Sequence, residues 1–205
     1  QETAPAAVAE PSDGELARTL AGLCRRTGVG LALGYAERFA GRCHASLMVL
    51  SPEGRALANY RRTHLDPEEE GPFTAGNWLT LVPFAGRRFG LLAGADLRHP
   101  EPARVLALAG ADALLTADAG GGPSAAVPRF LLAARALENR LPLLHAAFAP
   151  PFGPGASAFD ASGEPIGEAG TGDLLAATIG RDGRRASPGW RRRPELYMRL
   201  TEIDG

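Results

Sequence analysis

The chain has 205 residues, of which 45% are hydrophobic and 22% are charged, proportions typical of one globular domain large enough to bury a core. Its formal net charge of -1 argues against a nucleic-acid or membrane-surface partner, since either requires a marked basic excess. All 22 basic residues are arginines, which excludes any mechanism that needs a lysine amine from this chain. We therefore predict a single domain spanning residues 1–205, with no nucleic-acid and no membrane partner.

The cysteines and histidines give little support to metal or redox chemistry. Two cysteines cannot build a disulfide scaffold, so we predict a reducing, cytoplasmic location. Cys24 falls on the apolar face of a predicted helix, where burial in the core is expected. Cys43 and His44 are neighbours near a predicted strand and would point to opposite faces, so they cannot act as a nucleophile pair. The four histidines lack metal-ligand spacing, and the glycines at 120–122 lack the lysine and hydroxyl of a phosphate loop, so we predict no metal and no cofactor.

The first half of the chain predicts one amphipathic helix followed by short strands. Leucines recur at helical spacing in residues 13–26, and Gly28 follows as a stop signal. Turn residues 51–54 and 85–87 each join two strands into a hairpin, and residues 64–78 form an acidic loop rich in glycine and proline. The predicted strands are residues 29–35, 45–50, 55–61, 79–84 and 88–93.

The second half predicts alternating helices and strands. Helices are predicted at residues 101–109 and 126–140, and strands at residues 111–117, 141–147, 157–160 and 174–179. The apolar strand segments between helices are typical of an α/β sheet with helices packed outside it. The chain ends in an arginine-rich tail in which Trp190 precedes three arginines. In a neutral domain one short basic run is usually a solvated face rather than a nucleic-acid contact.

Several motifs occur in the order and spacing of one known family. Residues 58–65 have the sequence ANYRRTHL, and residues 90–101 have the sequence GLLAGADLRHPE. Residues 134–139 (ARALEN) and 193–197 (RPELY) follow. From about Glu10 onward the chain resembles the nitrilase superfamily, the carbon-nitrogen hydrolases, and most of all its small-amide amidase branch. The resemblance implies an α/β fold of four layers, an αββα sandwich. In the family a strand carrying the general-base glutamate precedes the first helix, so we expect this chain to lack the first strands.

The resemblance also implies a catalytic apparatus that this sequence lacks. The family hydrolyses amides or nitriles with a glutamate base, a lysine and a cysteine nucleophile. Arg62 stands at the lysine position and Gly94 at the cysteine position. Arginine keeps a positive charge but is larger and does not release its proton. Glu69 is the expected counterpart of an accessory glutamate, with Glu68 and Glu70 as alternatives of register.

Two functions follow from the resemblance. Loss of a covalent nucleophile costs on the order of a million-fold in rate, so the first hypothesis is an inactive member that binds a small molecule or serves assembly. The alternative is an active amidohydrolase that cleaves non-peptide C–N bonds of small amides, with Glu69 activating water beside Arg62. The residues expected to line the pocket are Tyr60, His64, Asp96, Glu138 and Asn139.

The resemblance further implies self-association. Family members associate through the helices that follow the nucleophile strand and through their C-terminal segments. This chain keeps sequences for both, in the helices predicted at residues 101–109 and 126–140 and in the motif at residues 193–197. An isologous contact would cover the same apolar helix surface in both subunits. We therefore predict a homodimer or a higher oligomer.

Overall fold

A computed structural model describes residues 5–118, 127–148, 153, 155–168, 175–179 and 193–197. These residues form helices and strands that divide between two sheets. The helices are α1 (Pro5–Val8), α2 (Glu15–Thr27), α3 (Pro100–Leu108), α4 (Arg129–Asn139) and α5 (Pro194–Tyr197). The strands are β1 (Leu31–Phe39), β2 (Arg42–Leu50), β3 (Ala56–Arg61), β4 (Thr80–Phe84), β5 (Arg87–Ala93), β6 (Ala113–Asp118), β7 (Leu143–Ala147), β8 (Ser157–Phe159) and β9 (Pro165–Glu168).

The two sheets differ in strand direction. Strands β1, β2 and β3 form an antiparallel three-stranded sheet in sequence order. Strands β4 to β9 form a six-stranded sheet, also in sequence order. Its central strands β5, β6 and β7 are parallel, whereas the outer pairs are antiparallel. Helices α3 and α4 supply the crossovers that parallel neighbours require.

Apolar side chains on both faces of each sheet produce four layers. Along β2, Leu47 and Val49 face the six-stranded sheet, while Met48 and Leu50 face α2, as the alternation of a strand requires. On the other face of the six-stranded sheet, Leu92, Leu114 and Leu143 pack among buried residues of α3 and α4. The order is therefore α2, three-stranded sheet, six-stranded sheet, then α3 with α4. This arrangement confirms the predicted α/β class and αββα sandwich.

Most predicted elements are confirmed, with ends displaced by a few residues. The helix predicted at 13–26 is α2, and Gly28 ends it in a left-handed conformation, with φ 68° and its N–H donating to the Cys24 carbonyl. The helices predicted at 101–109 and 126–140 correspond to α3 and α4 over the described residues. Both predicted hairpins are present, because β2 pairs with β3 and β4 pairs with β5.

Strands β1 and β2 form a hairpin that the sequence did not predict, and each extends beyond its predicted strand at the turn. Strand β1 continues to Phe39 and β2 begins at Arg42, so Ala40 and Gly41 alone form the turn, with φ of 49° and 76°. Positive φ at both positions is typical of tight hairpin turns. The charged residues of this segment obscured the strand pattern. Glu37 is nevertheless completely buried, because it accepts two hydrogen bonds from Arg61 and one from Ser46.

The prediction of a strand at residues 174–179 is wrong over the described positions. Residues 175–179 have no regular secondary structure, and the last strand among the described residues is instead β9. A turn closed by Gly163, with φ 81° and its N–H donating to the Asp160 carbonyl, returns the chain beside β8. Proline and glycine, which are uncommon inside strands, concealed β9 in the sequence.

Other parts of the chain add two findings. None of the described helices has the length and apolarity that crossing a bilayer requires. Some residues that carried sequence predictions lie outside the described part of the chain, namely the glycines at 120–122, Leu174 and residues 190–192.

Candidate functional site

The candidate site lies where the ends of two strands from different sheets come together. After β3 ends at Arg61, the chain turns through Arg62, and after β5 ends at Ala93, a short 3-10 helix runs from Gly94 to Arg98. Strand β5 is one of the parallel strands, and the carboxyl ends of such strands are the usual place for ligand sites in α/β sheets. The two turns therefore define the region in which the sequence-predicted residues can meet.

Asp96 connects the two turns through a fully buried carboxylate. Its Oδ2 accepts hydrogen bonds from the Tyr60 hydroxyl at 2.6 Å and the Ala93 N–H at 3.0 Å. Its Oδ1 accepts from the backbone N–H groups of Thr63 at 3.1 Å and His64 at 3.0 Å, and from the Thr63 hydroxyl at 2.9 Å. Hydrogen bonds to an ionised acceptor are stronger than neutral ones, so this carboxylate holds both turns in one geometry.

The neighbours of Asp96 complete a polar network. Burial, reinforced by the Asp96 charge, raises the pKa of Tyr60 above its ordinary value, so the phenol keeps its proton and remains a donor. The His64 Nδ1 atom lies 3.0 Å from Asp96 Oδ1. The His64 ring stacks on the His99 ring with centroids 4.3 Å apart. Thr63 and His64 also border an open depression of about 310 Å³ that reaches Val105 on α3.

Arg62 is held at both its backbone and its guanidinium. Its N–H donates to the Ala45 carbonyl and its carbonyl accepts from the Gly76 N–H. The residue is only 7% exposed. Its Nη2 lies 2.6 Å from Glu69 Oε1, but neither Nη2 nor Nε has a hydrogen-bond partner among the described residues. The Glu69 contact is therefore an ion pair that is not aligned as a hydrogen bond, and the Phe73 ring lies 5.9 Å from Arg62 Cζ.

A side chain at position 94 would displace the tip of that guanidinium from its present position. A Cβ atom placed on Gly94 would lie 2.5 Å from Arg62 Nη1, with Cδ and Cζ of the same arginine at 3.5 and 3.6 Å. Such an approach is well inside van der Waals contact, and Gly94 also has φ of 45°, where L side chains are strained. The arginine thus occupies the space into which any side chain at position 94 would project.

The structure brings together most of the residues that the sequence singled out. Arg62 contacts Glu69 and lies beside Gly94. Tyr60, His64 and Asp96 form the adjacent network. Of the three register alternatives, the residue paired with Arg62 is Glu69 rather than Glu68 or Glu70. Glu69 is oriented by a second contact, because its Oε2 accepts from the Asp66 N–H at 3.0 Å.

Glu138 and Asn139, which the resemblance placed at the pocket, have their hydrogen bonds elsewhere. Glu138 Oε1 accepts from Arg135 Nη1 at 3.1 Å, and the Glu138 carbonyl accepts from Arg104. Asn139 Nδ2 donates to the Arg135 carbonyl at 2.9 Å. None of these bonds reaches Arg62. Through Arg135 they support the turn that begins at Gly94.

Arg135 is a site residue that the sequence reasoning missed. It is buried, and its guanidinium donates to the carbonyls of Leu97 and Arg98, both at 3.1 Å. These bonds hold the end of the turn that begins at Gly94. The available signal was its position on the buried stripe of α4, where Leu132 and Ala136 also lie, because an arginine on an apolar helix face needs internal partners.

The two cysteines do not join the site. Cys24 is 2% exposed in the core beneath α2, as predicted. Cys43 is also buried, and burial raises the pKa of its thiol despite the opposing charge of Arg38. A protonated, buried thiol is a poor nucleophile. The part of the chain that the structure describes contains no cluster of three histidine, cysteine or acidic residues placed to hold a metal.

Substituting Asp96 by asparagine is expected to lower the free energy of unfolding by about 3 kcal/mol. The amide would place a donor against the donors of Tyr60 or the backbone and remove the buried negative charge. Urea unfolding measures the loss, and Asp13→Asn, an exposed carboxylate, serves as the control. Equal losses in the two variants would show that Asp96 does not carry this network.

Substituting Gly94 by alanine is expected to destabilise the protein in a way that depends on Arg62. With Arg62 present, steric overlap and positive φ together should cost about 2–4 kcal/mol, whereas with Arg62→Ala only the φ cost of about 1–2 kcal/mol should remain. Urea unfolding of the four combinations gives the coupling energy.

Gly28→Ala is the matched control for this cycle, since Gly28 has φ of 68° but nothing within 4 Å of its Cβ position. Its cost should be the same whether it is introduced alone or together with Arg62→Ala. If the loss in free energy of unfolding caused by Gly94→Ala is also the same with and without Arg62→Ala, the close approach of the two residues is contradicted.

Known proteins are similar to this chain both in sequence and in structure. The family model described as carbon-nitrogen hydrolase matches residues 1–185. An (R)-stereoselective amidase from Pseudomonas sp is 40% identical over 136 residues, which are 66% of this chain and 49% of that protein. A deaminated glutathione amidase from Rattus norvegicus is 32% identical over 161 residues, 68% of this chain and 48% of that one. The chain spans about half the length of these curated relatives.

Solved structures give the same result. A mutant amidase from Nesterenkonia sp. AN1, described as showing Michael addition of acrylamide at its active-site cysteine, superposes with a TM-score of 0.77. That comparison has 28% identity and covers 90% of this chain and 74% of the amidase. Because the family model covers most of the sequence and the amidase structures share the fold, the chain belongs to the carbon-nitrogen hydrolase family, the nitrilase superfamily.

Proposed function

We propose that this protein uses the carbon-nitrogen hydrolase fold to bind a small molecule and has lost the hydrolysis of amides and nitriles. The observation that carries this proposal is the 2.5 Å distance between Arg62 Nη1 and the Cβ position of Gly94. The resemblance puts the nucleophilic cysteine at that position. Here that position has no side chain, and the tip of the Arg62 guanidinium lies where a Cβ atom would be.

The remaining groups do not replace the missing nucleophile. The related Nesterenkonia amidase has an active-site cysteine that reacts with acrylamide. Both cysteines of this chain are buried, one in the core under α2 and one with a raised pKa. Arg62 supplies charge without a transferable proton. Without a covalent nucleophile, rates fall by a factor on the order of a million.

An alternative function rests on the pairing of Glu69 with Arg62. The Glu69 side chain is 29% exposed and lies 2.6 Å from the guanidinium, so a carboxylate and a positive charge are adjacent at an accessible place. Glu69 would act as general base on a water molecule while Arg62 stabilises the oxyanion. This route describes an active amidohydrolase of small amides that works without a covalent intermediate.

We expect no release of ammonia from propionamide or propionitrile, because no side chain at position 94 can form the acyl intermediate. A coupled ammonia assay with stoichiometric protein and long incubation measures this. Turnover above the buffer blank that disappears in Glu69→Gln would establish the alternative. Turnover unaffected by Glu69→Gln would contradict both functions as stated.

The same protein is proposed to be cytoplasmic and to assemble with a second copy. Its two cysteines are free, which supports a reducing compartment. Adjacent helices α3 and α4 expose large apolar side chains in the outer layer. Val105 and Leu108 are 49% and 51% exposed on α3, and Phe130 and Leu137 are 71% and 55% exposed on one face of α4. A twofold contact would cover this surface in both subunits.

Light scattering at micromolar concentration should give twice the 21.4 kDa mass of one chain. The double variant Phe130→Glu and Leu137→Glu should give the monomer mass, because it places charges within the apolar contact. The control is Val29→Glu, an equally exposed residue outside this surface, at 62%. A monomer mass for the unaltered protein at every concentration would refute the assembly.

A further inference from the structure

The guanidinium of Arg62 has an unused edge that matches a carboxylate. An arginine binds a carboxylate most strongly through two parallel N–H bonds, from Nε and one Nη atom. In this structure Nε and Nη2 are the two Arg62 nitrogens that are buried without a hydrogen-bond partner among the described residues. A buried cation with unused donors is costly, so this edge is poised for an acceptor.

Glu69 forms an ion pair with Nη2 of this edge but no hydrogen bond with either nitrogen. Its Oε1 lies 2.6 Å from Nη2 without hydrogen-bond alignment, and its Oε2 is already engaged by the Asp66 N–H. One oxygen therefore serves the backbone of its own turn, and Glu69 makes no bidentate pair with Arg62 in this structure. Its side chain is also 29% exposed, whereas that of Arg62 is 8% exposed, so Glu69 is the more accessible member of the pair.

We propose that Arg62 binds a small monocarboxylate through its Nε and Nη2 edge, and that Glu69 is a tethered competitor that the ligand displaces. The proposal rests on the binding function proposed above and names its ligand class. The ligand carboxylate replaces a misaligned ion pair by a bidentate one. Phe73, 5.9 Å from Cζ, provides an apolar wall beside the guanidinium, which suits a short alkyl acid.

The same geometry selects against the corresponding amide. All five N–H groups of a guanidinium are donors, and a carboxylate offers only acceptors. A primary amide of equal size presents its own NH₂ donors to one half of the edge. The nearby acceptor Asp96 cannot compensate, since its oxygens already accept from Tyr60, Thr63 and backbone N–H groups. We therefore expect propionate to bind at least about tenfold more tightly than propionamide.

Titration calorimetry of the full chain with propionate, at constant ionic strength set by chloride, tests the proposal. Arg62→Lys keeps the charge but lacks the two-pronged edge, so propionate affinity should fall at least about fivefold. Glu69→Gln removes the competing charge, so affinity should rise by about fivefold or more. The opposite signs of these two effects separate the proposal from a general loss of folding, which circular dichroism of each variant monitors.

Each outcome of this titration is decisive. No propionate binding up to about 50 mM, the upper limit of a weak site, would overturn the proposal. So would equal affinity for propionate and propionamide, or affinity unchanged by both variants. The ammonia assay is independent of these results. A protein that neither hydrolyses propionamide nor binds propionate would refute the carboxylate site alone, whereas hydrolysis of propionamide would refute the inactive binding function even if its product binds.

Discussion

The buried carboxylate of Asp96 is the interaction on which the rest of the site depends. The two sheets of the sandwich otherwise meet through apolar contacts such as those of Leu47 and Leu91, which have no directional preference. Asp96 follows β5 in one sheet and accepts hydrogen bonds from Tyr60, Thr63 and His64 at the end of β3 in the other. These bonds set the relative position of the two strand ends. The close approach of Arg62 to Gly94 follows from that position.

The Arg62 side chain and the missing side chain of Gly94 share one space in the structure. A planar guanidinium needs more room than an ammonium group, and it takes that room from the side chain of residue 94. A glycine at the start of a turn with φ of 45° also avoids backbone strain. With the guanidinium in this conformation, a side chain at residue 94 would have to displace its Nη1 atom. The two departures from the family pattern form one structural feature.

The sequence predicted the fold well wherever apolar periodicity was undisturbed. Helix α2 with its Gly28 stop and the hairpin of β4 with β5 were recognised because spacing and turn residues agreed. Strand β9 was missed because proline, glycine and glutamate make up most of its four residues. The end of β1 was missed because Glu37 is a charged residue whose burial depends on Arg61 and Ser46. Such burial depends on partners distant in sequence, which periodicity cannot reveal. The family resemblance likewise assigned Arg62, Glu69 and Gly94 to one site. The distance between the guanidinium and the Gly94 Cβ position, however, depends on the conformation of the Arg62 side chain, which the sequence does not reveal.

An arginine at this position has opposite consequences for an enzyme and for a binding protein. Hydrolysis of an amide produces a carboxylate, and a catalyst must stabilise the transition state more than the product if turnover is to continue. A bidentate guanidinium stabilises the planar carboxylate itself, so it would retain product and oppose release. In a protein without a nucleophile at position 94, the same affinity is an advantage. In the proposed binding function, the ion pair with Glu69 would keep the buried charge compensated until a ligand arrives, and the same arginine would serve binding rather than turnover.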